Sequence, residues 1–257
     1  MKKAIKISVI ISILVVLSAL VFLIQQKQGE KLVSELNIEI SYLSSDKYIV
    51  NEDIEATILK VEPEIRTKSI KDIHTLSIET ELIKNPYIAD VDVYKKVNGE
   101  IHVMIKQRHP IARVETSKSS FYIGSDGGIM PVSTKIGSHV MIINGHLKNY
   151  NYNDLIGLNI RNSEESVKLA QAFELASYMH TNELFNSLME QVYINKHGEF
   201  EFVPKLGKHY VLFGDMSRLE EKFSNLEHFY RQGISQVGWD AYSKVNLKFE
   251  NQVVCTK

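Results

Sequence analysis

The pattern of apolar and polar positions shows three textures in turn along the chain. Ile7–Ile24 runs 18 residues without a charge, and 14 of them are Ile, Leu, Val or Phe. Starting at Ala4, such a helix is about 31 Å long at 1.5 Å per residue, enough to span a bilayer core. The second texture begins at Leu36. Leu36–Tyr42 alternates with period two and predicts a strand. Asn51 then offers an N-cap, Ile54, Ile58 and Leu59 form a helical stripe, and Pro63 ends it. A second helix, about Ser77–Lys84, carries Ile78 and Leu82 at i, i+4 and stops at Asn85-Pro86, because a residue before proline is pushed out of the α region. A hairpin follows: Val91, Val93 and Val97 on one face, a type I′ turn at Asn98-Gly99, and Ile101, Val103 and Ile105 returning.

From Phe121 the third texture is short strands broken by turns such as Ser125-Asp126-Gly127-Gly128 and Asn144-Gly145. Two clear helices interrupt it. Glu165–Met179, with Asn162 and Glu165 in capping-box spacing, turns Leu169, Ala172, Phe173 and Ala176 inward. Ser217–Arg231 is lined by Leu219, Phe223, Leu226 and Tyr230, with Gly233 suited to its C-cap. Between them a hairpin turns at His197-Gly198, and Val245, Leu247 and Phe249 alternate near the end. The expected class is α+β: a short tail (1–6), a transmembrane helix (7–24), a linker (25–34), a β-α-α-β-β domain (35–114) and a mixed β-sheet domain with two packing helices (115–257).

Composition narrows the function. Apolar residues at 44 % and charged residues at 24 % exclude wholesale disorder. Lys and Arg number 30 against 31 acids, which argues against a nucleic-acid binder. Lys2, Lys3 and Lys6 precede the apolar run, while Lys27 and Lys31 follow it, so the positive-inside bias favours an N-in, C-out anchor. A cleaved signal peptide is opposed by the length of the run and by Gln25-Gln26-Lys27-Gln28, which has no small-X-small site. The single cysteine, Cys255, excludes an intramolecular disulfide and a cysteine-based zinc site.

No catalytic signature emerges. A phosphate loop, a Gly-X-Ser-X-Gly elbow and a His-Glu-X-X-His pair are absent, and the nine histidines never recur at metal-ligand spacing. Ser44 and Lys47 match a Ser-X-X-Lys pair with no later Lys-Thr-Gly to complete it. Asp90 and Asp92 alternate with Val91 and Val93, as on the solvated face of a half-buried strand. No enzyme activity, cofactor or metal is expected.

Binding is the remaining business. Lys244–Phe249 and Gln252–Thr256 are rich in β-branched and aromatic residues and contain no proline, as a partner-receiving sheet edge requires. Val245 and Leu247 read as core. Trp239 and Tyr242, just upstream, either cap the core or serve as candidate interface anchors.

Several series in order along the chain resemble the FtsQ/DivIB family of bacterial division proteins. They are Asn85-Pro86-Tyr87; Asn98-Gly99; Gln107-Arg108-His109-Pro110-Ile111-Ala112; Phe121 through Pro131; Lys222-Phe223 through Phe229-Tyr230; and Asn246 through Val254, in a form similar to Bacteroidetes-type members. The resemblance identifies the β-α-α-β-β unit with the family's POTRA (polypeptide-transport-associated) domain. It implies a non-catalytic divisome scaffold of the inner membrane, periplasmic in bulk and concentrated at the septum, that links early and late division proteins. It implies FtsB/DivIC and FtsL as partners, with an FtsB strand received on Lys248, Phe249, Gln252, Val253 and Val254. Self-pairing through Gln252–Cys255 would cover part of the same edge. It also implies septal recruitment through the POTRA domain's second helix and following strand. The alternatives are a POTRA-bearing module of an export or outer-membrane assembly machine, and an anchored cell-wall hydrolase.

Overall fold

The computed structural model describes residues 13–19, 31–134, 136–148, 150–162 and 167–257. Residues 13–19 are helical; the rest of the expected span Ile7–Ile24 lies outside the described residues. Among those described, no helix is long and apolar enough to cross a membrane. The chain divides into two compact units, one ending at Gln107 and the other beginning at Arg108, and the connector Tyr42–Tyr48 belongs to the second.

The first unit is a three-stranded sheet covered by two helices. Strand β1 (Glu35–Ser41) runs parallel to the central β3 (Glu100–Gln107), and β2 (Ile88–Lys95) lies antiparallel on its other side. The period-two pattern puts Ile101, Val103 and Ile105 on the face against Ile54 and Ile58 of α1 (Asn51–Val61) and Ile78 and Leu82 of α2 (Thr75–Leu82); all seven are buried in one core. Each such side chain contributes on the order of 2 kcal/mol relative to staying exposed. Two local expectations are corrected. Val50, not Asn51, is the N-cap, in extended backbone. The hairpin has a three-residue loop, because Lys96 N donates to Glu100 O and Gly99 N to Lys96 O, with Gly99 at φ +100°. Val97 therefore projects from the loop and is exposed rather than joining Val93.

The second unit is a nine-stranded mixed sheet. Its strands are β4 (Pro110–Glu115), β5 (Ser120–Gly124), β6 (Ile129–Pro131), β7 (Met141–Gly145), β8 (Met189–Ile194), β9 (Phe200–Pro204), β10 (Tyr210–Gly214), β11 (Lys244–Asn246) and β12 (Val254–Thr256). They lie in the order β12-β11-β10-β9-β8-β7-β4-β5-β6. Pairs β4/β7, β7/β8 and β10/β11 are parallel and the others antiparallel. The boundary expected at residue 114 falls inside the structure of this unit: Pro110–Glu115 pairs with β5 and β7, so the division is at 107/108.

Helices α3 (Val167–Thr181), α4 (Glu183–Leu188) and α5 (Leu219–His228) supply Phe173, Phe185 and Phe223, which share a core with Phe202 and Phe213 of the sheet. Glu165 lies outside the described residues. The second expected helix does not run to Arg231 as one α-helix. Phe229–Gly233 is a π-helical turn, α6 (Ile234–Val237) continues it, and Gly238 at φ +90° ends it in place of Gly233.

Arg108 explains two sequence motifs at once. Its Nε donates to Asp126 Oδ2 at 3.0 Å, and its side chain lies where a Cβ on Gly124 or Gly128 would sit. The glycines around Asp126 are thus room for an arginine, consistent with a turn and not a calcium loop. Gln107 is buried and accepts from Ile49 N at 3.2 Å, holding the start of α1.

Candidate functional site

The two ends of the nine-stranded sheet differ. At β6, Pro131 closes the strand, Gly128 forms a bridge with Asn159, and Ile160 N donates to Gly127 O at 2.9 Å. At the other end β12 has one strand neighbour, β11. The register Lys244↔Thr256, Val245↔Cys255, Asn246↔Val254 sets Val253 and Cys255 toward the core, half-buried against it, and leaves Val254 exposed on the other face. A strand with one neighbour presents a row of backbone groups to a second.

The chain reaches this edge through a turn fixed at several points. Leu247 is buried in the core and its N–H donates to Leu212 O at 3.0 Å. Lys248 N donates to the Asn246 side chain, Lys248 O accepts from Arg218 Nη2 at 2.8 Å, and Asn251 N donates to Glu221 Oε1 at 2.9 Å. The Lys248 ammonium pairs with Glu199 at 2.5 Å and holds that carboxyl below its usual range. Its aliphatic stem crosses Gly214, where a Cβ would approach Lys248 Cγ to 2.9 Å in a backbone already at φ +84°.

Arg218 is also joined to Lys222, whose N–H donates to the Arg218 carbonyl at 3.0 Å. That lysine is 2 % exposed, yet its Nζ reaches the Asp215 carbonyl and Oδ1, each at 2.9 Å, and sits over the Phe213 ring at 4.9 Å. Ser217 and Lys222 hydrogen bonds hold the Asp215 carboxyl far below the usual carboxylate range.

The opposite end of β12 meets an aromatic corner. Ser243 N donates to Thr256 O at 2.8 Å, and the segment before it carries Trp239 and Tyr242. Trp239 stacks on Tyr230 at 5.9 Å and stays partly exposed; Tyr242 is half-buried, 6.2 Å from Phe229. Both side chains therefore cap the core with one side and face solvent with the other. Beneath them His209 is buried, with Nε2 2.9 Å from Tyr230 Oη. Burial depresses the imidazole pKa, while the Trp239 carbonyl and Asp240 oppose the shift.

The structure thus gathers the sequence-expected residues along one edge. Lys248, Phe249 (47 % exposed) and Gln252 lie in the turn, Val253 leads into β12, Val254 opens it, and Trp239 and Tyr242 flank its far end. The strand proper is shorter than the expected Gln252–Thr256, because the turn occupies 247–253, and it is self-paired on its inner side. The clamp of Arg218, Glu221 and Glu199 escaped sequence reasoning. Its contacts span 30 to 49 residues, and nothing in the local pattern of these residues marks them.

The chemistry-bearing candidates disperse. Lys47 sits over the Tyr42 ring at 5.3 Å, and Asp90 and Asp92 are exposed on β2. A cleft of about 540 Å³ in the second unit is lined by His109, His180, Asp46, Ser138, Glu190 and Lys205 among others. His109 lies 5.7 Å from His180 and burial lowers its pKa, while Asp46 accepts from Ser138. Among the described residues, no group of three His, Cys, Asp or Glu is placed to hold a metal.

A helix-covered three-stranded unit joined to a mixed sheet with a strand edge is the build of a POTRA-bearing protein, and a model of the POTRA-like domain matches residues 31–106. A model described as FtsQ/DivIB, C-terminal related, matches residues 109–256, more than half of the chain. The chain belongs to the FtsQ/DivIB family and is a cell-division protein; that family is generally one of non-catalytic scaffolds. A search of curated proteins finds no match.

Proposed function

We propose that this chain is a non-catalytic divisome scaffold, held in the inner membrane by Ile7–Ile24 with its N-terminus inside, whose second unit receives a strand of an FtsB/DivIC-type partner on β12 and so gathers FtsL at the septum. The observation that carries this reading is the β12 edge: one neighbour on the inside, a turn fixed by Arg218, Glu221 and Glu199, and exposed apolar Phe249 and Val254 beside it. Backbone pairing supplies affinity in such an arrangement and the alternating side chains supply selection. Trp239 and Tyr242 are the proposed aromatic anchors at the strand's far end.

The test is capture of an FtsB/DivIC–FtsL pair by the full-length chain carrying Phe249→Asp or Cys255→Pro. Residues 243, 245 and 247 bond to β10, so Val254 and Thr256 bond back to β11 and the Cys255 N–H faces outward; proline there removes a donor of the open ladder and is tolerated at an edge, so the fold survives while the added strand loses a bond. Binding should fall at least tenfold for either variant. Folded variants that bind like the parent protein would remove the edge-strand reading.

A further inference from the structure

The first unit has its own outer strand, and its ladder donors are occupied by carboxylates. β2 pairs with β3 on one side, so its odd-numbered residues Val91, Val93 and Lys95 turn their backbone groups outward. Val93 N donates to Glu79 Oε1 of α2 at 2.9 Å, and Val91 N donates to Asp90 Oδ1 at 3.1 Å. Glu79 reaches across from the helix to the middle of the edge. It is flanked on the same helical stripe by Leu76 (72 % exposed) and Ile83 (45 % exposed), at i−3 and i+4. Two exposed aliphatic side chains beside a stopped strand edge are the makings of an interface that is kept shut.

We propose that β2 is a homotypic docking edge for a second copy of this chain, and that Glu79 is the latch that closes it. Self-complementarity selects this occupant. An antiparallel two-fold pairing centred on Val93 makes Val93 a hydrogen-bonded pair with its counterpart and sets Val91 opposite Lys95 of the other copy, in phase with the outward backbone groups. The same register places Asp92 opposite Tyr94 and Asp90 opposite Lys96. The latter is a cross-strand pair of opposite charges, made twice by symmetry. Lys96 is 3.7 Å from Glu100, and Lys95 Nζ is 3.3 Å from the Lys71 carbonyl, so both cations already border the edge. A shift of register by one residue in either strand would break the backbone phase. The Val93 donor that Glu79 takes is the one at the two-fold axis, so withdrawing this one carboxylate in each copy opens the centre of the pairing. This use of β2 is independent of strand reception at β12.

Sedimentation of the full-length chain in detergent over a concentration series tests this. Glu79→Met, an apolar helix former of similar length with no acceptor, and Glu79→Ala should each tighten self-association about tenfold or more relative to the parent. Adding Lys96→Glu to Glu79→Met should return the chain to monomer by setting two acids against each other, and Asp90→Lys with Lys96→Glu should restore the dimer. Folded Glu79→Met and Glu79→Ala proteins that stay monomeric would overturn the proposal. A dimer indifferent to Lys96→Glu, or one not restored by the charge swap, would overturn it as well, since the contact would then lie elsewhere or belong to another protein's strand.

Discussion

Arg218 Nη2 donates to the backbone carbonyl of Lys248 at 2.8 Å, tying the residue before one helix to the turn that delivers β12. Arg218 itself sits in left-handed backbone at φ +50°, uncommon for a residue with a Cβ, and its other guanidinium nitrogen engages Glu221 at 3.1 Å. The charge-assisted bond restrains the edge without covering it. Arg218→Ala should cost about 1–2 kcal/mol in global stability. Its larger effect should be local, with faster amide exchange across 248–253 and weaker partner capture. Hydrogen exchange read by mass spectrometry checks the first, and unchanged protection of that turn would count against the clamp.

Lys222 gives a second prediction. Its ammonium is buried, but its partner Asp215 is 75 % exposed on its side chain, so removing the lysine leaves an anion that water can solvate. The usual penalty for orphaning a buried charge therefore does not apply in full. Lys222→Ala should lose about 2–3 kcal/mol, chiefly through the vacated volume over Phe213. Lys222→Met, which refills that volume, should recover more than half of the loss. Urea unfolding of the two variants measures the difference; equal losses would mean that the hydrogen bonds to Asp215 dominate.

Stability should fall on mild acidification. Burial holds both His109 and His209 below their ordinary pKa of about 6.5, so over the window beneath that value the unfolded chain binds more protons than the folded one. The second unit keeps full stability from these groups above pH about 6.5 and loses it as pH drops through that window. The slope is at most about 1.4 kcal/mol per pH unit for each imidazole. Glu62, Glu199 and Asp215 have depressed pKa values and act in a separate, more acidic window: their contribution is present above the ordinary carboxylate range and lost below it. Thermal melts from pH 7.5 to 5 should show the slope, and His109→Gln should make it shallower. A flat profile over that range would contradict the burial argument.

Much of this architecture was legible in the sequence because local pattern and tertiary role agree. Ile78 and Leu82 at i, i+4, the alternating Ile101, Val103 and Ile105, and the His197-Gly198 hairpin all appear where period and turn chemistry put them. The failures come where a partner distant in sequence decides. Pro110–Glu115 reads as the end of the first domain, yet pairing with β5 and β7 makes it part of the second sheet. The continuous apolar stripe Phe223–Tyr230 hides a π-helical turn, because periodicity does not register one inserted residue near a helix end. At the edge, residue types that favour strands pointed to the segment that holds the outer strand β12. The turn at 247–253 was invisible because it depends on Arg218, Glu221 and Glu199, whose side chains arrive from elsewhere. Asp90 was legible only as a solvated charge and Glu79 not at all; their service to the β2 backbone is a matter of geometry.

Amide hydrogen exchange over Val253–Lys257 of the full-length chain, with and without a saturating FtsB/DivIC–FtsL pair, probes the β12 edge at the level of its backbone donors. Strand reception predicts that the outward amides among these, Val253, Cys255 and Lys257, slow at least tenfold in the complex, and that Cys255→Pro abolishes both the slowing and the capture. A saturated complex in which Val253–Lys257 exchanges as in the free protein would show that partners dock elsewhere.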